Sequence, residues 1–106
     1  MNEIEGTGDY VWVDNKKYSG QWYDNKMHGK GYLKWPDGSE YSGDFIFDKR
    51  QGHGKFVWSD LRVYEGEWFH GKQSGVGHYT NLNGVTRKGH WENGKRLRWL
   101  IDEGAV

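Results

Sequence analysis

Apolar and small residues alternate with polar ones along this chain in short runs, bounded by turn-forming residues. In Tyr18-Ser19-Gly20-Gln21-Trp22, an extended backbone puts Tyr18, Gly20 and Trp22 on one side and Ser19 and Gln21 on the other. From Gly29 to Trp35 the same alternation sets Gly29, Gly31, Leu33 and Trp35 against Lys30, Tyr32 and Lys34. A polar turn, Asp24-Asn25-Lys26, lies between the two runs and becomes His70-Gly71-Lys72 further along. After the second run comes Pro36-Asp37-Gly38, where Pro presets φ and Gly supplies a positive one. The pattern predicts strand, tight turn, strand, turn. Helix is disfavoured, because so much glycine would cost roughly 1 kcal/mol per Gly in a helix interior.

This two-strand unit recurs with a period of 23 residues and no insertion: residues 18–40, 41–63 and 64–86 align in phase. Residues 1–17 carry the second half of a preceding unit, and residues 87–106 a partial unit followed by an atypical closing segment. Starting in mid-unit reads as a piece cut from a longer array. In the closing segment Arg98 and Leu100 stand where Gly-x-Gly belongs, so Trp99 and Ile101 are expected to cover the last edge or fold back on it.

Glycine inside a strand weakens it unless something needs the missing side chain. Here the expectation is that a ring from one strand lies flat over the bare backbone of the next. A Cβ at Gly20, Gly31, Gly43 or Gly54 would lift that ring away. One face is then striped with Tyr18, Trp22, Leu33, Trp35, Tyr41, Phe45, Phe56, Trp58, Tyr64, Trp68, Tyr79 and Trp91. The opposite face sets Asp44, Glu65 and Glu67 beside Lys30, Lys34, His53, Lys55 and His78, a surface that neutralises itself across neighbouring strands.

Composition sharpens this picture. Leu, Ile, Val and Phe make up 19 of 106 residues, too few for an ordinary aliphatic core, whereas 7 Trp, 7 Tyr, 4 Phe and 17 Gly supply another kind. Fifteen basic side chains against fifteen acidic ones argue against nucleic acid as a partner. The absence of Cys excludes disulfides, thiol catalysis and thiolate zinc sites. No apolar run approaches the ~20 residues that cross a bilayer as a helix.

The pattern Tyr-x-Gly-x-Trp followed by Gly-x-Gly, at Tyr18 to Trp22 with Gly29 and Gly31 and again at Tyr64 to Trp68, resembles the MORN (membrane occupation and recognition nexus) repeat. Phe45 replaces Trp in the second unit and keeps the ring. The resemblance implies an all-β fold, a single-layer antiparallel sheet of consecutive hairpins. It also implies non-catalytic work as an interaction scaffold in the cytoplasm, in cytoskeletal, ciliary or membrane-associated assemblies. Acidic phospholipid binding is the family's other proposed role.

The candidate partner surface is the ring-lined face, with Tyr18, Trp22, Trp35, Tyr41, Phe45, Trp58, Tyr64 and Trp68 meeting a helix or extended peptide of another protein. The alternative is a lipid surface made by Lys30, Lys34, Lys55, Lys95, Arg96 and Arg98. Open edge strands also invite homotypic pairing, end to end. No cofactor and no metal are expected. His28, His53, His70, His78 and His90 fall at scattered places in the unit, and carboxylates on open strands have nothing to set one pKa apart from another. An open ribbon without a water-excluding cleft is not an enzyme site.

Overall fold

The computed structural model describes residues 5–101. Nine strands run in chain order: β1 (Gly6–Val11), β2 (Lys17–Tyr23), β3 (Lys26–Lys34), β4 (Glu40–Ile46), β5 (Lys49–Val57), β6 (Val63–Phe69), β7 (Lys72–Thr80), β8 (Thr86–Glu92) and β9 (Lys95–Trp99). Each pairs antiparallel with the next, in one open sheet. The strands begin a residue or more earlier than alternation suggested, and Trp35 and Trp58 lie just beyond β3 and β5, in the following turns.

The two kinds of turn explain the register. At the tips, Asp24-Asn25, Phe47-Asp48, His70-Gly71 and Asn93-Gly94 all have positive φ, from 43° to 81°. This is the two-residue hairpin whose twist matches that of the strands it joins. On the other margin, four-residue turns start at Trp12, Trp35, Trp58 and Asn81, each accepting an N–H from the residue three places on. That residue is Asn15, Gly38, Leu61 or Gly84, with φ of 75°, 95°, 79° and 81°.

With this register, Gly8, Gly20, Gly31, Gly43, Gly54, Gly66, Gly77 and Gly89 face one another strand by strand, and Trp99 takes the equivalent place on β9. Rings of Tyr18, Tyr41 and Tyr64 lie on Gly31, Gly54 and Gly77, where any Cβ would overlap them. That much follows the sequence expectation. The other glycines serve different ends. At Gly20, Gly43 and Gly66 a Cβ would first strike backbone, 2.5 Å from the Cα of the facing glycine. Close approach of two main chains, more than a ring, excludes side chains there.

The first glycine of each Gly-x-Gly pair is no ring seat either. Gly29, Gly52 and Gly75 have φ of 94°, 106° and 75° and sit where the pairing slips between β2 and β3, β4 and β5, β6 and β7. The slip turns the next amide outward, and a side chain of the preceding strand takes it. Lys30 N donates to Gln21 Oε1 (2.6 Å), His53 N to Asp44 Oδ2 (2.9 Å) and Val76 N to Glu67 Oε2 (2.8 Å). Asp44 and Glu67 therefore hold bulges as well as balancing charge.

The core is one face of the sheet. Tyr18, Trp22, Met27, Leu33, Tyr41, Phe45, Tyr64, Trp68 and Trp91 are buried there. The rings meet edge to face in a chain: Tyr18 with Phe45 (5.4 Å), Tyr41 with Trp68 (5.3 Å) and Tyr64 with Trp91 (4.8 Å). Phenol hydroxyls of Tyr18, Tyr41 and Tyr64 donate to the carbonyls of Gln21, Asp44 and Glu67, each at 2.8 Å. Burial of these hydroxyls pushes the pKa of Tyr18 and Tyr64 up to about 12, and that of Tyr41 upward too.

The molecule measures 59 × 23 × 21 Å. An untwisted single layer would be far thinner along its shortest axis. The near-equal short axes reflect strands turning by ~20–25° per step about the long axis.

Candidate interaction face

The ring-lined face divides into a floor and a rim. Of the residues named from the sequence, Tyr18, Trp22, Tyr41, Phe45, Tyr64 and Trp68 form the floor, each no more than 7% exposed. Trp35 and Trp58 are half-buried on the rim, with Trp12, Phe56, Tyr79 and Trp99 packed beside them. Trp12, Trp35 and Trp58 occupy the same place in successive units, the first residue of the four-residue turn, so they form a row along one margin. Alternation along each strand predicted Trp35 and Trp58 on this face, and the turn keeps them there. The buried floor fixes where these rim indoles stand.

Cations accompany the rim rings. Lys16 Nζ lies 4.6 Å from the Trp12 ring centroid, Arg62 5.1 Å from that of Trp58, and Arg87 and Arg96 lie 4.3 and 4.4 Å from that of Trp99. In mid-sheet Arg50 points into the face. Its guanidinium stands 4.8 Å from Trp68, 5.5 Å from Trp35, 5.6 Å from Phe56 and 5.9 Å from Tyr41, and Nη2 donates to Gly71 O at 2.8 Å. Burial draws its pKa down, against the favourable field of Tyr41. Arg50 and Met27 were missed in the sequence reading because they follow the tip turn, where alternation was not followed. The in-phase series Met27, Arg50, Gln73 and Arg96 was the available signal.

The surface has shallow depressions rather than a deep cleft. One of about 180 Å³ is lined by Arg50, Phe56, Trp58, Trp68, Gly71, Lys72 and Gln73. Another, of about 350 Å³, is lined by Tyr10, Trp12, Trp22, Asn25 and Asp48. Among the described residues no group of three or more His, Asp or Glu is placed to hold a metal ion. No helix there is long and apolar enough to cross a membrane.

The six basic residues of the alternative lipid surface do not converge. Lys30 is ion-paired with Asp44, and Lys34 lies 4.0 Å from Glu40. Lys55, Lys95 and Arg98 are exposed on the opposite face, whereas Arg96 shares the ring-lined face with Trp99. Burial works against ionised Asp44, but bonds from the Lys30 ammonium and the His53 amide, with the fields of both residues, hold its pKa below the usual carboxylate value. His53 Nε2 lies 3.6 Å from Glu65, as expected of this side, whereas among the described residues Lys55, His78 and Glu67 form no ion pair within 4.0 Å. Near the tips that side also has exposed rings, with His28 4.7 Å from Phe47 and 5.8 Å from Tyr23.

The closing segment behaves partly as expected. Trp91 and Trp99, 6.0 Å apart, together cover Gly89, whereas Ile101 is 90% exposed. The expected terminal half-unit and closing segment also include residues 1–4 and 102–106, which lie outside the described residues.

The MORN repeat family model matches residues 18–40, 41–60 and 64–86, in the frame of the 23-residue period. No curated protein matches the chain significantly. Repeats of this family are non-enzymatic modules for interaction with proteins or membranes. With three matched units covering well over half of its length, the chain belongs to the MORN repeat family.

Proposed function

We propose that this chain is a non-catalytic scaffold that binds a helix or extended peptide of a partner protein across its ring-lined face. The observation that carries this reading is the rim row: Trp12, Trp35 and Trp58 stand partly buried against a rigid aromatic floor, each with an edge left open, and among the described residues no second layer covers them. Large indoles held in place lose little entropy on binding, which suits them as anchors. Trp35 and Trp58 are the contact residues; the buried rings beneath them orient the contact. A cytoplasmic position in cytoskeletal, ciliary or membrane-attached assemblies fits such a role. The edge strands β1 and β9 add a homotypic route, end to end.

The test is the double variant Trp35→Ala/Trp58→Ala. Binding of a partner recovered with the wild-type chain should fall by about 1,000-fold, as loss of two anchors at ~2 kcal/mol each would give. The circular dichroism spectrum should remain that of the native sheet. Full retention of binding by a folded double variant would end the proposal.

A further inference from the structure

The sheet sorts charge by face. In the strands, Asp9, Glu40, Asp44, Glu65, Glu67 and Glu92 all pair in register with residues of the face opposite the rings. The charged side chains that the strands place on the ring-lined face are three arginines, Arg50, Arg87 and Arg96. Among the described residues, none of the three lies within 4.0 Å of a carboxylate. Acids of the neighbouring turns are engaged locally: Asp14 takes the Lys16 amide, Asp37 the Ser39 amide, Asp60 pairs with Arg62, and Asp48 takes the Met27 amide at 2.8 Å. A chain of zero net charge thus shows a basic aromatic face.

We propose that this face receives an acidic segment of the partner protein, with one carboxylate on Arg50 and a second on the cluster of Arg87, Trp99 and Arg96. The proposal rests on the protein-binding reading above and adds the partner's chemistry. Arg50 opens onto the depression beside Trp58 and Trp68, and it has given one N–H to Gly71 O. Its remaining donors fit a carboxylate in the bidentate manner of arginine, and surrounding rings strengthen the pair by excluding water. From β5 to β9 is four strand steps, about 19 Å. An extended segment spans this in about six residues and a helix in about thirteen. Over the same distance the face rotates by about 80–100°. A flat bilayer cannot address both clusters at once, but a peptide can wind with them.

Random peptides of about 14 residues, long enough to span both clusters, are selected by phage display on the intact chain. The enriched sequences are expected to be rich in Asp and Glu. Their affinity, by fluorescence anisotropy, should fall at least about tenfold in Arg50→Gln, the loss of one charge-assisted contact. Gln73 holds the same place in the next unit, so the substitution uses a side chain the fold already carries there. If Arg50→Gln alters the dichroism spectrum, Arg50→Met, which repeats the Met27 of the preceding unit, serves the same comparison. Enrichment of neutral or basic peptides, or undiminished binding of an acidic one to the folded variant, overturns this inference alone. Finding no peptide that Trp35→Ala/Trp58→Ala releases overturns the protein-binding reading beneath it. Co-sedimentation of the wild type but not Arg50→Gln with phosphatidylserine vesicles would assign the arginine to a membrane and also overturn the inference.

Discussion

At the scale of the residue, each repeated position has one stereochemical task, and departures from it show where stability is held back. Leu61 is the clearest case. It occupies the left-handed position that Gly38 and Gly84 fill in neighbouring units, at φ 79°, and its side chain is 74% exposed. A left-handed conformation costs an ordinary L-residue about 1–2 kcal/mol, and little packing offsets that here. Leu61→Gly should therefore stabilise the protein by about 1 kcal/mol, raising Tm by about 5 °C in thermal denaturation. A lower Tm would mean that the leucine makes a contact worth more than its backbone strain. Phe47, at φ 43°, breaks the same rule at a tip, but its ring rests against His28 and Tyr23. Its replacement carries no such expectation.

Elements explain what was legible in the sequence. Alternation with a fixed period identified the strands, the turns and the ring-lined face, because side-chain direction in a strand depends only on position. The same rule failed at the bulges. There two extra residues enter β3, β5 and β7 around Gly29, Gly52 and Gly75, and a reading that assumed unbroken pairing did not foresee them; nor did it foresee the backbone contact that Gly20 and Gly43, expected as ring seats, make instead. It also missed Arg50, whose direction depends on the tip turn before it. Asp44 exposes the bulge energetically. Its folded pKa lies below the unfolded value, so its contribution is complete above the ordinary carboxylate range and disappears as pH falls through the folded value. Asp44→Asn should lower Tm at pH 7, and the gap from wild type should close as pH is taken from about 5 to about 2. A gap independent of pH would show that Asp44 acts by shape alone.

At the scale of the whole molecule, equivalent tyrosines in three consecutive units make the array respond to alkali as one body. Tyr18, Tyr41 and Tyr64 hold their protons more tightly folded than unfolded. Their contribution is intact below the ordinary phenol value of about 10 and is lost as pH rises from there toward about 12. Each costs up to about 1.4 kcal/mol per pH unit once the unfolded phenol is mostly ionised, so the three together should remove about 3 kcal/mol between pH 10 and 11. Urea unfolding followed by circular dichroism at pH 9, 10 and 11 reads this directly. A flat profile would mean that the phenols ionise without leaving the glycine row.

The two margins of the sheet differ in how they are fastened. Along the tips, Asp48 N, Gly71 N and Gly94 N donate to the carbonyls of Met27, Arg50 and Gln73 in the preceding unit, each at 2.9 Å, whereas the turns starting at Trp12, Trp35, Trp58 and Asn81 close upon themselves. The ribbon is built like a book, sewn along its spine and loose at the fore-edge. Extra chain length inserted at a tip would tear the stitching, but at Pro36-Asp37 or Ser59-Asp60 it would only lengthen a page. Lineages that elaborate this scaffold should therefore add their embellishments on the side where the tryptophans stand.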